Sequence, residues 1–373
     1  MEPVGDRLLA RFLELIRIDS PSREELDVAL SCARELTELG FQVRFDDSSS
    51  VTGSNTGNLI AELPAAAGAQ TLVLSAHMDC VEPCRGVQPV VSDGIVSSAG
   101  DTILGADDKA GLAVILEACR RLVETDVPRP AIKVVFTVCE ETGLTGAKAL
   151  HPADVAADAC LVLDADGDPG GIIIAAPTHF TFDAQFHGVA AHAGVSPEKG
   201  VSALLMAAKA LCAMELGRLD ESTTANAGTI ESGHATNVVP AHAHLTGECR
   251  SLDAARVEEV RSAMDTVMHQ AAHAGGGSVD IVWTREYIGF SFEPDAPIVL
   301  QAIAACTDAG LVPVLKKTGG GSDGNVFSGL GVPTLVLSCG MRSVHGVEES
   351  IAVADLHSLV DLLLAYSSRL ARS

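Results

Sequence analysis

Four apolar runs in this chain each lead to a side chain of the kind that binds metal. TLVLSAHMD reaches His77, AIKVVFTVCEE reaches Glu140 and Glu141, ACLVLDAD reaches Asp164, and PTLVLSCG leads into SVHG with His345. Runs of about 4–8 aliphatic residues without alternation mark strands covered on both faces, as in a parallel sheet. In open sheets of that kind ligands bind beyond the carboxyl ends of the strands, and each of these polar groups sits at or just past such an end. A soluble core explains one of them but poorly explains all four, so the set points to a single metal-dependent active site.

The neighbouring residues sharpen the chemistry. His77 and Asp79 form an HMD triplet, in which the carboxylate can fix the ring that binds metal by accepting from its other nitrogen. ILGADDKAG places Asp107 and Asp108 just ahead of a helix, flanked by glycines; either could bridge two cations roughly 3.5–4 Å apart, and either could instead cap the helix. Glu140 and Glu141 are adjacent, so on extended backbone they point in opposite directions. One can then bind metal while the other faces bound water as a general base. Asp164 lies nearest its strand end and is favoured as a ligand; Asp166 is the fallback, and Asp168 reads as a turn residue. Two imidazoles with carboxylates and no thiolate suit zinc, cobalt or manganese.

These residues need a scaffold, and the chain supplies alternating elements. Residues 5–18 carry helical periodicity, and Ser22 with Glu25 has the spacing of a capping box for a second helix ending near Gly40. Short strands and helices alternate to about residue 176, with 111–124 the clearest helix. From about 178 to 286 the order becomes strand, helix, strand, strand, helix, strand. The fold expected is α/β: a discontinuous catalytic domain with a mostly parallel central sheet covered by helices, plus an inserted α+β lid or dimerisation domain with an antiparallel sheet. Its parts are 1–177, 178–286 and 287–373. The GGGSDGN loop lacks the Lys-Ser/Thr of a phosphate loop and reads as a wall of the substrate pocket.

Lys plus Arg number 25 against 49 Asp plus Glu in 373 residues, a formal net charge of −24. Nucleic acid and anionic membranes need a basic footprint, so neither is an expected partner, and no segment has the length and apolarity of a membrane span. Cys139, Cys160 and Cys339 lie inside apolar runs, where free buried thiols are common, and Cys80 with Cys84 lacks the further ligands of a zinc site. The first 22 residues carry charges throughout, unlike a signal peptide. The expectation is a soluble, cytoplasmic protein with reduced thiols.

GNLIAEL, HMDCVEP, ILGADDKAG, EETGLTGAKAL, GVAAHAG, TNVVPAHAHLTGECRS, GGGSDGN and SVHGVEE follow one another as in the dinuclear zinc exopeptidase family of peptidase T, glutamate carboxypeptidases, aminoacylases and succinyl-diaminopimelate desuccinylase. The resemblance covers nearly the whole chain. It implies that His77 and Asp164 bind one metal, Glu141 and His345 the other, and that Asp107, two residues before Lys109, bridges them. It implies further that Glu140 is the general base, that Asp79 orients His77, and that His192 of GVAAHAG stabilises the oxyanion, often in a partner subunit. Asn237 and Arg250 match lid positions that hold substrate, and a homodimer through the lid is implied as well. The expected reaction is amide hydrolysis in a small peptide or acylated amino acid. DDKAG and the overall organisation are most similar to peptidase-T-like tripeptide aminopeptidases, with carboxypeptidase or deacylase as the alternative. A non-catalytic peptide- or metal-binding protein, the remote alternative, would lack a base or a ligand, and none is missing here.

Overall fold

The structure, a computed structural model, describes residues 6–65, 68–125 and 128–372. Residues 1–5, which include the start of the first expected helix, lie outside these. Two compact units divide the chain: Met1–Ile174, Phe292–Lys317 and Ser322–Ser373 form the larger, Ala175–Ser291 and Thr318–Gly321 the smaller.

In the larger unit the apolar runs become the middle of a mixed sheet. Ala131–Thr137, Thr71–His77, Ala159–Ala165 and Thr334–Ser338 lie side by side and parallel. Nearly every residue of these strands is buried, which is why the runs show no alternation. Antiparallel strands close one edge: Leu59–Leu63 pairs with Ala131–Thr137, and Gln42–Phe45 pairs with Leu59–Leu63. On the other side Ile172 and Ile173 run antiparallel to Thr334–Ser338. Helices Arg7–Ile16, Ala106–Glu124, Pro297–Asp308 and Val353–Leu370 pack together over this sheet. Phe12, Leu15, Ile16, Leu116, Leu359 and Leu363 share one core with the strands, each contributing about 1.5–3 kcal/mol by leaving water.

A small second sheet matters for the site. Pro89–Ser92 and Ile95–Ser98 form a hairpin turned by Asp93 and Gly94, both at positive φ, the two-residue turn that Asp-Gly favours. Ser350–Ala352 adds to Ile95–Ser98 as a third strand, which anchors the segment that follows His345.

Along the smaller unit's strand Thr178–His187, Phe180, Phe182, Ala184 and Phe186 are buried while Asp183 and Gln185 are exposed, the two-residue period of a half-covered antiparallel sheet. Its five strands run in the order Gly217–Arg218, Thr223–Ser232, His242–Ser251, Thr178–His187, Ser278–Tyr287. Helices Ala203–Ala213 and Ala254–Ala274 cover the apolar face with Met206, Ala210, Val257, Met264 and Met268. The α/β fold with a mostly parallel sheet and a separate antiparallel one is therefore as expected.

One local expectation fails. Helix Leu26–Glu38 begins after Glu25, whose side chain makes no cap bond. Ser22 instead donates to Asp79 at 2.6 Å, and the carboxylate of Glu25 turns to the segment around Cys139; tertiary partners outbid the local box. The box that does form is at Ser322, whose hydroxyl and Asn325 side chain reciprocally cap helix Asp323–Gly329. Among the described residues no helix is long and apolar enough to cross a membrane. All ten cysteines are free, and Cys212 alone among them is exposed.

Candidate metal centre

Six of the expected residues come together in the larger unit. His77 ends the strand Thr71–His77 and is buried; its Nε2 lies 3.0 Å from Asp107 Oδ1 and 3.7 Å from Asp164 Oδ1. His345 reaches the same place from an exposed loop, at positive φ, with Nε2 3.2 Å from Asp107 Oδ2 and 2.9 Å from Glu141 Oε1. Two donor trios result, His77–Asp107–Asp164 and Asp107–Glu141–His345, each with its ligand atoms within 4.8 Å of one another. Asp107 belongs to both and gives one oxygen to each. A third group, His77–Glu140–Glu141, sets Glu140 beside them. Asp166 is exposed, leaving Asp164 as the aspartate of its turn that faces His77.

The paired aspartates have separated. The segment Ala106–Glu124 is helical except at Asp107 and Asp108, and this break turns the two side chains to different tasks. Asp107 faces the imidazoles, whereas Asp108 accepts from the His77 N–H at 3.2 Å and the Gly111 N–H at 3.1 Å. Asp108 thus takes the capping part that was open to either residue.

Asp79 holds the centre from below. Its main-chain oxygen is the nearer acceptor for His77 Nδ1, at 2.9 Å, with a carboxylate oxygen at 3.5 Å. The carboxylate itself receives Ser22 Oγ at 2.6 Å and the N–H groups of Glu140 at 2.9 Å and Glu141 at 3.2 Å. Burial acts to raise this carboxyl, but the bonds from His77, Ser22 and Glu140 outweigh it and hold it below its ordinary value.

The electrostatics fit a cation-binding role. Burial, then the charge of Asp164, pushes Glu140 well above the usual carboxylate range; burial pushes Asp164 up to about 6. Burial would lower His77, yet Asp107, Asp164 and Asp79 raise it well above an ordinary histidine, and Asp107 with Glu141 raises His345 to about 10. Carboxylates crowded in a poorly solvated place repel one another, and the neighbouring ammonium of Lys109 is spent on the Ile18 carbonyl. Two divalent cations would relieve that crowding. The donors in these groups are nitrogen and oxygen only, the Cys339 and Cys139 thiols turning instead to the Leu337 carbonyl and to Glu25, and this set matches zinc, cobalt or manganese.

His192, Asn237 and Arg250 belong to the smaller unit. His192 is exposed on a two-residue strand paired with Val238–Val239, and the adjacent Ala193 N–H donates to the Asn237 carbonyl at 2.9 Å. Arg250 meets Glu248, two residues back on the same strand face, through two bonds of 3.0 and 2.8 Å, and donates to the Tyr287 hydroxyl at 3.3 Å. Glu248 also meets His179 Nε2 at 2.9 Å.

Three buried acids near these residues carry no mark of a site role in the sequence, where Glu25 reads only as part of a capping box. Glu349 accepts the Gly105 and Asp107 N–H groups at 2.6 and 2.9 Å. Asp323 accepts from Thr137 and burial pushes it up to about 7. Glu25 accepts the Cys139 N–H at 3.0 Å. Glu349 and Asp323 stand in the quoted SVHGVEE and GGGSDGN segments, and that proximity was the available signal.

A model of peptidase family M20/M25/M40 matches residues 73–369. The uncharacterized protein YqjE of Bacillus subtilis (strain 168) is 40% identical over 366 residues, covering 98% of this chain and 99% of that one. The crystal structure of aminopeptidase PepT from Bacillus cereus ATCC 10987 has a TM-score of 0.92 at 42% identity, covering 98% of each chain. A tripeptidase from Staphylococcus aureus subsp. aureus Mu50 gives 0.93 at 36% identity over 98% of each. With a family model spanning most of its length and relatives matching it almost end to end, this chain belongs to peptidase family M20/M25/M40.

Proposed function

We propose that this protein is a two-metal exopeptidase that removes the N-terminal residue of tripeptides. The observation that carries the proposal is the pair of donor trios sharing Asp107, with Glu140 alongside. The relatives at 42% and 36% identity, named as an aminopeptidase and a tripeptidase, support the substrate class. His77 and Asp164 would hold one cation, Glu141 and His345 the other, and Asp107 both; zinc is the best fit, with cobalt or manganese able to replace it. When bound, such ions polarise the scissile carbonyl and acidify the attacking water to a pKa of about 7.

The chain's own residues supply the rest. Glu140 takes the proton of the attacking water and returns it to the departing amine, and its raised affinity for protons suits that exchange. Asp79 holds the main chain of Glu140 and Glu141, so base and ligand keep separate directions. His192 would stabilise the oxyanion, in a homodimer built through the smaller unit. Asn237 and Arg250 would hold the substrate, the guanidinium fork pairing with its carboxylate in competition with Glu248. The ten free cysteines suit work in the reducing cytoplasm.

A tripeptide assayed beside its N-acetylated and C-amidated forms tests the reading. Cleavage should vanish on N-acetylation and persist on amidation, weakened by loss of the Arg250 pairing; loss on amidation with cleavage kept on N-acetylation would make the enzyme a carboxypeptidase, and cleavage of the acetyl group a deacylase.

A further inference from the structure

Four successive main-chain N–H groups lead up to and through the proposed base, and each is received by a side-chain oxygen. Val138 donates to Asn58 Oδ1 at 3.0 Å, Cys139 to Glu25 Oε1 at 3.0 Å, Glu140 to Asp79 Oδ1 at 2.9 Å and Glu141 to Asp79 Oδ2 at 3.2 Å. The strand has ended at Thr137, so these groups have no ladder to join and need other acceptors. Cys139 sits among them at φ +54°, a conformation that a residue with a Cβ keeps only when its surroundings hold it there.

Glu25 is the member of this set with no evident employment of its own. It is fully buried and caps no helix. Its bonds are to the Arg23 and Cys139 N–H groups at 2.9 and 3.0 Å, to the Cys139 thiol at 3.3 Å and to the Ser54 hydroxyl. Burying a carboxylate is costly unless its hydrogen bonds are well used, and two of these four bonds hold Cys139, the residue before Glu140. We infer that Glu25 is a positioning residue for Glu140: by fixing the Cys139 peptide in its left-handed turn, it sets the direction in which the base leaves the main chain. This inference rests on Glu140 acting as the base.

The test uses the full chain loaded with zinc, with Glu25→Ala, Glu25→Gln and Glu25→Asp compared with the parent. For Glu25→Ala, kcat on a tripeptide should fall by about tenfold or more, because small misplacements of a reacting group cost that much. KM should stay within about twofold, and metal content should match the parent. Glu25→Gln keeps an acceptor for the Cys139 N–H and should stay within about threefold of the parent kcat.

Amide exchange supplies a readout independent of turnover. In Glu25→Ala, residues 138–141 should exchange about tenfold faster or more, while Ala131–Thr137 keeps its protection. A Glu25→Ala kcat within about threefold of the parent, unchanged exchange at 138–141, metal lost in step with kcat, or a Glu25→Gln as impaired as the alanine variant would each overturn the assignment. Should Glu25→Ala yield no folded protein, Glu25→Asp, which withdraws the carboxylate by one methylene, must lose kcat at constant KM, and parental kcat there overturns it equally. If the parent cleaves no peptide, the proposed function fails, and exchange at 138–141 still decides whether Glu25 holds this turn.

Discussion

Replacing Asp79 with asparagine keeps size and shape but leaves one acceptor oxygen where there were two. The carboxylate receives three donors: Ser22 Oγ and the Glu141 N–H on Oδ2, and the Glu140 N–H on Oδ1. If the amide oxygen takes the Oδ2 place, the new NH₂ faces the Glu140 N–H. If it takes the Oδ1 place, Ser22 can rotate to accept but the Glu141 N–H is left opposite a donor. Either way one buried backbone donor loses its partner, which costs about 1–3 kcal/mol, and the remaining bonds lose charge assistance, about 1 kcal/mol more. The expected destabilisation is therefore about 2–4 kcal/mol, against about 1 kcal/mol for Ser22→Ala, which removes one bond. His77 should keep its direction, because its nearer acceptor is the main-chain oxygen of residue 79, so metal affinity should fall towards the lower end of the roughly 10–100-fold loss typical of such partners. Urea denaturation of chelator-treated protein and calorimetric titration with Zn²⁺ measure the two quantities. An Asp79→Asn protein as stable as Ser22→Ala would refute the donor count. A metal affinity reduced far beyond about 100-fold would show that the carboxylate, not the carbonyl, orients the ring.

Glu140→Gln should bind metal as the parent does and lose about 10²–10⁴-fold in kcat; retained turnover would remove Glu140 from proton transfer. Asp107→Asn should weaken both cation positions, since Asp107 belongs to both trios, whereas Asp164→Asn should weaken one; metal analysis after dialysis distinguishes them. A Cβ at Gly146 would lie 2.0 Å from the Val138 carbonyl oxygen and 2.7 Å from Asn58 Oδ1, so Gly146→Ala should destabilise by about 3 kcal/mol or more and lower kcat by shifting the turn before Glu140. Gly143→Ala has open space and only a positive φ to contend with, and should cost about 1–2 kcal/mol. In the smaller unit, the bond from His179, joined by Arg250 against the opposing effect of burial, lowers Glu248 to about 2. A depressed carboxylate stabilises the fold above its unfolded pKa and ceases to do so as pH falls through the folded one. The stability difference between the parent and Glu248→Gln should therefore be full above about pH 4.5 and shrink towards pH 2; a difference independent of pH in that window would dismiss the ion-pair account.

The sheet centre and the ligand-type residues were legible because both leave local traces. TLVLSAH, ACLVLDA and TLVLS announce strands buried on both faces, and the residues at or beyond their ends announce the place where a site belongs. The helix at 111–124 was similarly visible in its own sequence. Bracing of the centre was not legible. Glu349 and Glu25 act by accepting N–H groups from segments more than a hundred positions away, and nothing beside them in sequence marks that. Ser22 and Glu25 show why spacing misleads there: their interval is that of a capping box, yet their bonds go to Asp79 and Cys139. Between Asp107 and Asp108 the residue types alone left the choice open and only the family resemblance favoured Asp107; the break in helical geometry that turns the two side chains apart is not visible in ILGADDKAG.

The two donor trios also differ in how much chain each requires. His77 and Asp164 stand on adjacent parallel strands and Asp107 at the entry of helix Ala106–Glu124, all within residues 77–164, whereas the second trio takes His345 from much farther along the chain. Contacts that close over so long a stretch form late. Yet Asp107, which both trios share, gives its N–H to Glu349, so the segment that brings His345 also steadies the first trio, and one late-closing stretch of chain governs both cation positions.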